Sequence, residues 1–222
     1  MKIRIILLLL SLSTTIVFSE PVLKRVHFTS TELANIQGHY SSIAGYVYIN
    51  VKGKQVSTHI NGKYIQLIKK SDGHFYPHYK FLRIFPISLG AMSFSLQTRK
   101  GNKQIIMHEK DRKGKSKKVK TVAQKFASRT IPQLWNNRLG KYKATLLKGK
   151  SNIKSIHLAK KNGVLVAYIN NIKSPYPLLA LSPSKLFSPS AGHNKDQAIQ
   201  LSTKDNIIFL NYGKNRLILK KL

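Results

Sequence analysis

The sequence predicts an all-β protein made of two similar antiparallel barrels, and three observations support this. Apolar and polar residues alternate through much of the chain, as at Val47, Ile49 and Val51, which is the period of a half-buried strand. Turns with a single glycine, such as Asn61-Gly62, separate these segments at regular intervals. Landmarks of the first half also recur, in the same order, in the second half. We therefore expect two meander barrels of about eight strands, each preceded by a short capped helical turn.

The N-terminus has the pattern of a secretory signal peptide. Lys2 and Arg4 precede an apolar run, and small residues around Ser19 form a cleavage site before Glu20. We assign residues 1–19 to the signal peptide and expect an exported protein, periplasmic or secreted. The apolar run is too short for a membrane anchor, and we expect no transmembrane segment once it is removed.

Two helix-start signals mark the beginnings of the copies. Thr29 and Glu32 form a capping-box pattern before Gly38, and Thr130 and Gln133 form a second one before Gly140. We therefore place repeat 1 at residues 29–108 and repeat 2 at residues 129–222.

Three further matches follow in both copies at similar spacings. Gly53 before Ile60 in the first copy matches Gly163 before Ile169 in the second. Leu67 before Phe75 likewise matches Leu179 before Phe187. A closing apolar hairpin from Phe94 to Met107 matches another from Phe209 to Leu219. Since their order is conserved, we interpret them as a degenerate duplication.

Residues 109–128, between the copies, are poor in apolar residues and dense in lysine. We interpret them as a basic linker, with a long hairpin extension as the alternative. Its positive charge would attract anionic lipid headgroups or acidic polymers without sequence specificity. The alternative is that the segment is a solvated linker that binds nothing. The proposed anion-binding residues are Lys110, Arg112, Lys113, Lys115, Lys117, Lys118 and Lys120.

The composition disfavours most enzyme classes. The chain has a net charge of +32, only 7 acidic residues and no cysteine, so it has no thiolate chemistry and little scope for paired carboxylates. His74 and His78 cannot chelate one metal from an extended strand, because positions four apart are about 13 Å apart. We expect no metal site and no cofactor.

Leu139, Gly140 and Tyr142 resemble the start of a known domain. The lipocalin-like accessory domain that follows the catalytic domain in serine hydrolases of the β-lactamase and penicillin-binding fold opens with a short helix and this Leu-Gly-Tyr start. The other copy has Ile36 in place of the leucine. The resemblance implies two lipocalin-like barrels without the catalytic domain. We expect Tyr40 and Tyr142 to be structural and Trp135 to plug one barrel end.

The catalytic residues of those hydrolases are not recognisable. Ser151 with Lys154, and Ser182 with Lys185, have the Ser-x-x-Lys spacing, and Tyr48 has the Tyr-x-Asn spacing. Neither serine pair has the required helical setting, and Tyr48 falls in a predicted strand. We therefore predict that the protein is not an enzyme.

Two functions remain as hypotheses. The first is a noncatalytic exported binding module for a small ligand, an anionic envelope lipid or polysaccharide, or a partner protein. The alternative is an accessory subunit of a separately encoded serine hydrolase of the β-lactamase fold. Nucleic acid is disfavoured as a partner, because no cluster of aromatic residues accompanies the basic run.

Overall fold

The computed structural model describes residues 23–43, 45–81, 85–88, 92–110, 116–189, 199–204 and 207–222. The predicted signal peptide lies outside these residues. The described part is all-β, with two closed eight-stranded antiparallel barrels and two short helices. No helix among these residues is long and apolar enough to cross a membrane.

The first barrel begins with a helix and has nine strands. Its elements are α1 (Ser30–Ile36), β1 (Gly38–Ser42), β2 (Gly45–Lys52), β3 (Gln55–Ile60), β4 (Lys63–Lys69), β5 (Phe75–Phe81), β6 (Phe85–Ser88), β7 (Met92–Arg99), β8 (Asn102–Lys110) and β9 (Ser116–Phe126). Eight of them close a ring in the order β1-β2-β3-β4-β5-β7-β8-β9 and back to β1, while β6 pairs with β5.

The second barrel repeats this ring without the additional strand. Its elements are α2 (Gln133–Asn136), β10 (Gly140–Lys148), β11 (Ser155–Lys161), β12 (Val164–Ile169), β13 (Tyr176–Ser182), β14 (Lys185–Phe187), β15 (Ile199–Lys204), β16 (Ile207–Tyr212) and β17 (Asn215–Lys221). Each strand pairs with the next, and β17 closes on β10. The all-β prediction with two antiparallel barrels is confirmed.

The structure differs from the predicted linker at residues 109–128. Residues 116–126 form β9, which pairs with β8 on one side and with β1 on the other. The first barrel therefore extends to Phe126, and the hairpin alternative describes this segment. Alternation in β9 is hidden by a break in register near Ile105 and by lysines at strand positions. The last of the predicted repeat matches is wrong for the same reason: β9 is the counterpart of β17, so the β7–β8 hairpin corresponds to β15–β16.

The two helix starts differ from each other. At α1 the capping box is present: the Thr29 N–H donates to Glu32 Oε2 at 2.8 Å, and the Glu32 N–H donates to Thr29 Oγ1 at 3.2 Å. At α2 the predicted box at Thr130 does not form. The N-cap is Pro132 and no side chain caps the helix, because the four-residue helix begins at Gln133, two residues later than a box at Thr130 requires.

Each barrel starts with the same Gly-x-Tyr geometry. Gly38 and Gly140 have φ values of 134° and 135°, a backbone region that favours glycine. The Tyr40 hydroxyl donates to the carbonyl of Ile36 at 2.7 Å, and the Tyr142 hydroxyl donates to that of Arg138 at 2.6 Å. Both tyrosines thus fasten the first strand to the preceding helical segment. The expectation that they are structural is confirmed.

Trp135 lies in the core of the second barrel. Its side chain is 0% exposed and belongs to one cluster with Tyr142 and the inward-facing residues of the strands. Eight of the fifteen buried residues of this cluster are leucines. The expected plug is therefore present, and large side chains pack this interior.

The barrels contact each other through their outer faces. Tyr46 of β2 packs against Val164 and Val166 of β12, and all three side chains are buried. The Tyr46 N–H donates to the Pro175 carbonyl at 2.6 Å. A Cβ added at Gly45 would lie 2.6 Å from that oxygen, so glycine permits this close approach.

Candidate functional site

The first barrel encloses an apolar cavity of about 230 Å³. Its lining is apolar because residues at every second strand position share one face of a sheet, and in these strands the inward face carries apolar side chains. The lining comes from most strands of the ring and includes Val47, Ile49, Leu67, Phe75, Ile105 and Ala123. This volume exceeds the roughly 150 Å³ of a dry cavity that binds benzene. It is below the roughly 300–1,000 Å³ typical of a pocket for a drug-sized ligand. A single ring or a short acyl chain would fit.

Two hydroxyl groups among the described residues of the cavity wall have backbone partners. Thr58 Oγ1 donates to the Tyr48 carbonyl at 2.9 Å, and Ser42 Oγ donates to the Gly45 carbonyl at 2.8 Å. Because both donors are engaged along the wall, the surface facing the cavity is effectively apolar. A ligand inside would be held by the hydrophobic effect and by shape.

Helix α1 closes one end of this cavity. Ile36 and Tyr40 are buried in the core cluster that continues into the cavity wall, and Leu33 packs against it. The Lys125 ammonium donates to the Asn35 carbonyl at 2.8 Å. Burial, together with the nearby charge of Lys103, lowers the pKa of Lys125. The closed end is thus held by both apolar and polar contacts.

An ion pair attaches α1 to the barrel wall. The Glu32 carboxylate lies 2.6 Å from Lys69 Nζ. Burial alone would raise the pKa of Glu32, but hydrogen bonds and charge from Lys69 and the Thr29 contacts hold it below its ordinary value. The helix therefore has a fixed position over the closed end.

The opposite end forms the mouth of the cavity. Strand β1 leaves α1 at Gly38 and reaches Ser42 at the far end, where Ile43 lines the cavity and is 48% exposed. Met92 and Met107 also line the cavity and are partly exposed. Among the residues that the structure describes, partly exposed apolar side chains thus surround this end, and methionine side chains there are flexible.

Lys120 belongs to the inward-facing positions near the mouth. It pairs directly with Met107 across β8 and β9, and directly opposed residues share one face of a sheet. The neighbouring Val119 is 52% exposed on the other face, as alternation requires. Glu109 pairs with Met92, so it lies at the same end. The mouth therefore places one cation and one carboxylate close to the apolar lining.

The other predicted anion-binding residues lie in or near the same hairpin. Lys110 ends β8, and Lys117 and Lys118 lie near the start of β9, with Lys118 paired to Glu109 in register. Arg112, Lys113 and Lys115 lie outside the described residues. The backbone thus brings the described members to the mouth end of the first barrel. The apolar cavity itself was not predicted from the sequence.

Two histidines of the first barrel, His74 and His108, form a stacked pair. The His74 and His108 rings stack with centroids 4.4 Å apart, so their in-plane nitrogen lone pairs cannot converge on one ion. His74 Nδ1 lies 3.0 Å from Ser93 Oγ, and His108 Nε2 lies 2.8 Å from Ser95 Oγ. No cluster of three metal-ligating side chains occurs among the described residues.

The serine–lysine pairs have no helical setting. Ser182 and Lys185 face each other across the β13–β14 turn, and Ser151 lies in the connection before β11. Tyr48 lies in β2, as expected. In a serine hydrolase of this class the pair would start a helix. The geometry therefore offers these residues no activated nucleophile.

Comparison with known proteins finds little similarity. No protein-family model matches the chain, and no curated protein matches it. One solved structure is weakly similar, that of a protein of unknown function from the DUF3598 family of Nostoc punctiforme. It is 10% identical, with 86% of this chain and 97% of that chain covered and a TM-score of 0.24. A likeness this weak carries no argument here, and the resemblance to hydrolase accessory domains stays a prediction.

Proposed function

We propose that the protein is an exported, noncatalytic binding module whose first barrel takes the apolar part of a small anionic amphiphile. The proposal rests on the apolar cavity of about 230 Å³ and on Lys120, which is paired in register with the lining residue Met107. The cavity is too small for a whole drug-sized ligand. Only the apolar part of an amphiphile would enter the cavity, and its polar headgroup would therefore remain at the mouth.

Charge at the mouth favours an anionic headgroup. The described hairpin strands carry Lys110, Lys117, Lys118 and Lys120 against Glu109, so the local balance is positive. A positive potential there would raise the local concentration of an anion and speed its association. The predicted signal peptide would deliver such a module outside the cytoplasm, where envelope lipids supply ligands of this kind.

The test compares decanoate with decanol by isothermal titration calorimetry at neutral pH. Both ligands have the same chain length, so their difference reports on the headgroup. We expect both to bind and decanoate to bind more tightly. Replacing Lys120 with Gln should weaken decanoate binding about two- to fivefold, the range of a partly exposed ion pair, and leave decanol binding unchanged.

A second variant supplies a control of opposite sign. Glu109→Gln removes the carboxylate at the same end, so it should strengthen decanoate binding by a similar factor. Failure of both ligands to bind would refute the cavity as the site. Equal effects of Lys120→Gln on decanoate and decanol would refute the role of the cation.

A further inference from the structure

A second cavity lies between the two barrels, separate from the first barrel's interior. This cleft has a volume of about 610 Å³. The outer faces of β2, β3 and β4 form one wall, and the β11–β12 turn forms the other. Since Tyr46, Val164 and Val166 are buried together beside it, the two walls have a fixed relative position. Binding sites occur preferentially at such junctions between domains.

Aromatic rings line the wall of the first barrel. Tyr48 and Tyr64 both face the cleft, and the Tyr64 side chain is 46% exposed. His59 meets the Tyr64 ring edge-on, with centroids 5.4 Å apart. This contact orients Tyr64 without covering it, so a ring face is available to a ligand with a flat apolar surface.

The remaining wall offers neutral hydrogen-bonding groups and one cation. Asn50, Ser57 and Asn162 supply amide and hydroxyl groups, and Lys161 supplies an ammonium group. None of the described lining residues is acidic. Burial raises the pKa of Tyr46 to about 12, although a hydrogen bond with the Asn162 side chain opposes this. The turn bearing Lys161 and Asn162 thus lies beside Tyr46 in the lining of the cleft.

A smaller hollow of about 390 Å³ continues the cleft along the second barrel. Lys161 and Gly62 line both spaces, and Tyr168 and Lys173 line the extension. The His157 and Tyr168 rings stack there with centroids 5.6 Å apart. The combined groove thus offers further aromatic surface on its second side, which suits an elongated ligand.

From these groups we propose that the cleft between the barrels binds an acidic oligosaccharide. Sugar rings have apolar faces that pack on tyrosine rings, and their hydroxyl groups match the asparagines and Ser57. Lys161 pairs with a carboxylate or another acidic substituent. A nucleic acid fits less well, since a strand carries a charge on every nucleotide and a binding groove for it is lined with many cations.

The experiment measures binding of trigalacturonate, a trisaccharide with one carboxylate per ring, and of its methyl ester. The variants are Tyr64→Ala and Lys161→Gln, and Lys161→Arg preserves the charge. Lys148→Gln is the matched control, because Lys148 is exposed and lies at the end of β10, outside the lining of the cleft. Tyr64 is nearly half exposed and Lys161 is partly exposed, so neither change should disturb folding, which circular dichroism checks.

We expect trigalacturonate to bind more tightly than its ester. Tyr64→Ala and Lys161→Gln should each weaken its binding about tenfold, the loss of one stacking contact or one charge-assisted hydrogen bond. Lys161→Arg and Lys148→Gln should leave binding close to that of the parent. Equal binding of acid and ester, or an unchanged affinity of Tyr64→Ala, would overturn the proposal. Tighter binding of an oligothymidylate of similar length would also overturn it in favour of nucleic acid. The decanoate experiment tests a different cavity, so the two proposals can fail independently.

Discussion

Adding the same three carbon atoms to each barrel should have opposite effects on stability. Ala123 lines the cavity of the first barrel, whereas Ala167 is 0% exposed in the leucine-rich core of the second. Ala123→Leu can extend into existing space. Ala167→Leu must displace its neighbours, because protein interiors are packed as densely as organic crystals.

The magnitudes follow from burial and packing. Each buried methylene contributes about 0.8 kcal/mol, so Ala123→Leu should leave the free energy of unfolding unchanged or raise it by up to about 2 kcal/mol. Overpacking a filled core costs about 1–3 kcal/mol, so Ala167→Leu should lower it by that amount. Both substitutions lie at inward-facing strand positions, so the effect of strand propensity is similar in the two variants and does not contribute to their difference in stability.

Urea denaturation followed by far-ultraviolet circular dichroism measures both variants against the parent. A mutational change in midpoint without a change in slope reports stability. The expected result is an equal or higher midpoint for Ala123→Leu and a lower one for Ala167→Leu. If Ala123→Leu destabilises the protein as much as Ala167→Leu, the space in the first barrel is not available and the reasoning is refuted.

Three further predictions concern the ends of the barrels. Trp135→Ala should cost about 3–5 kcal/mol, whereas Trp135→Phe should cost much less because the indole N–H has no partner among the described residues; a similar loss for both in urea denaturation would contradict the plug role. Gly38→Ala and Gly140→Ala should each cost about 1–3 kcal/mol, since both glycines have positive φ; thermal unfolding measures this, and a neutral change at either would count against the shared geometry. The folded state lowers the pKa of Glu32 below its ordinary value of 4.5, so the ionised carboxylate stabilises the fold at pH values above 4.5. This stabilisation is lost as the pH falls through the lowered pKa. The stability difference between the parent and Glu32→Gln should therefore shrink below pH 4.5 in pH-dependent urea titrations; a constant difference would contradict the Lys69 pairing.

Local signals were sufficient for the overall fold. The capping box at Thr29, the glycines at the hairpin turns and the period-two alternation are short-range features whose structure depends on neighbouring residues. The Gly-x-Tyr segments of the two copies correspond in three dimensions. The aliphatic residue that precedes them does not: Ile36 corresponds to Arg138, whereas the sequence match paired Ile36 with Leu139. A repeat read from a few positions thus gives the correct architecture but an approximate register.

Features that depend on long-range packing were not predictable in the same way. Strand β9 is lysine-rich and irregular in register, and its pairing with β1 closes a ring across more than eighty residues of sequence. The cavity depends on summed side-chain volumes. Four of the ten buried residues in the first core cluster are valine or alanine, against one of fifteen in the second, and this difference in side-chain size is a signal that the sequence does carry. The cleft between the barrels depends on how two folded units meet, which no local pattern records.

The most direct test of the proposed function is the stoichiometry of decanoate binding in the parent and the two filling variants. Calorimetry at several temperatures should show one decanoate per chain in the parent, with the negative heat-capacity change that accompanies burial of apolar surface. Binding should be at least about tenfold weaker in Ala123→Leu, where the new side chain occupies the cavity, and unchanged in folded Ala167→Leu. Binding that survives in Ala123→Leu with the parent's affinity would contradict the placement of the ligand in the first barrel.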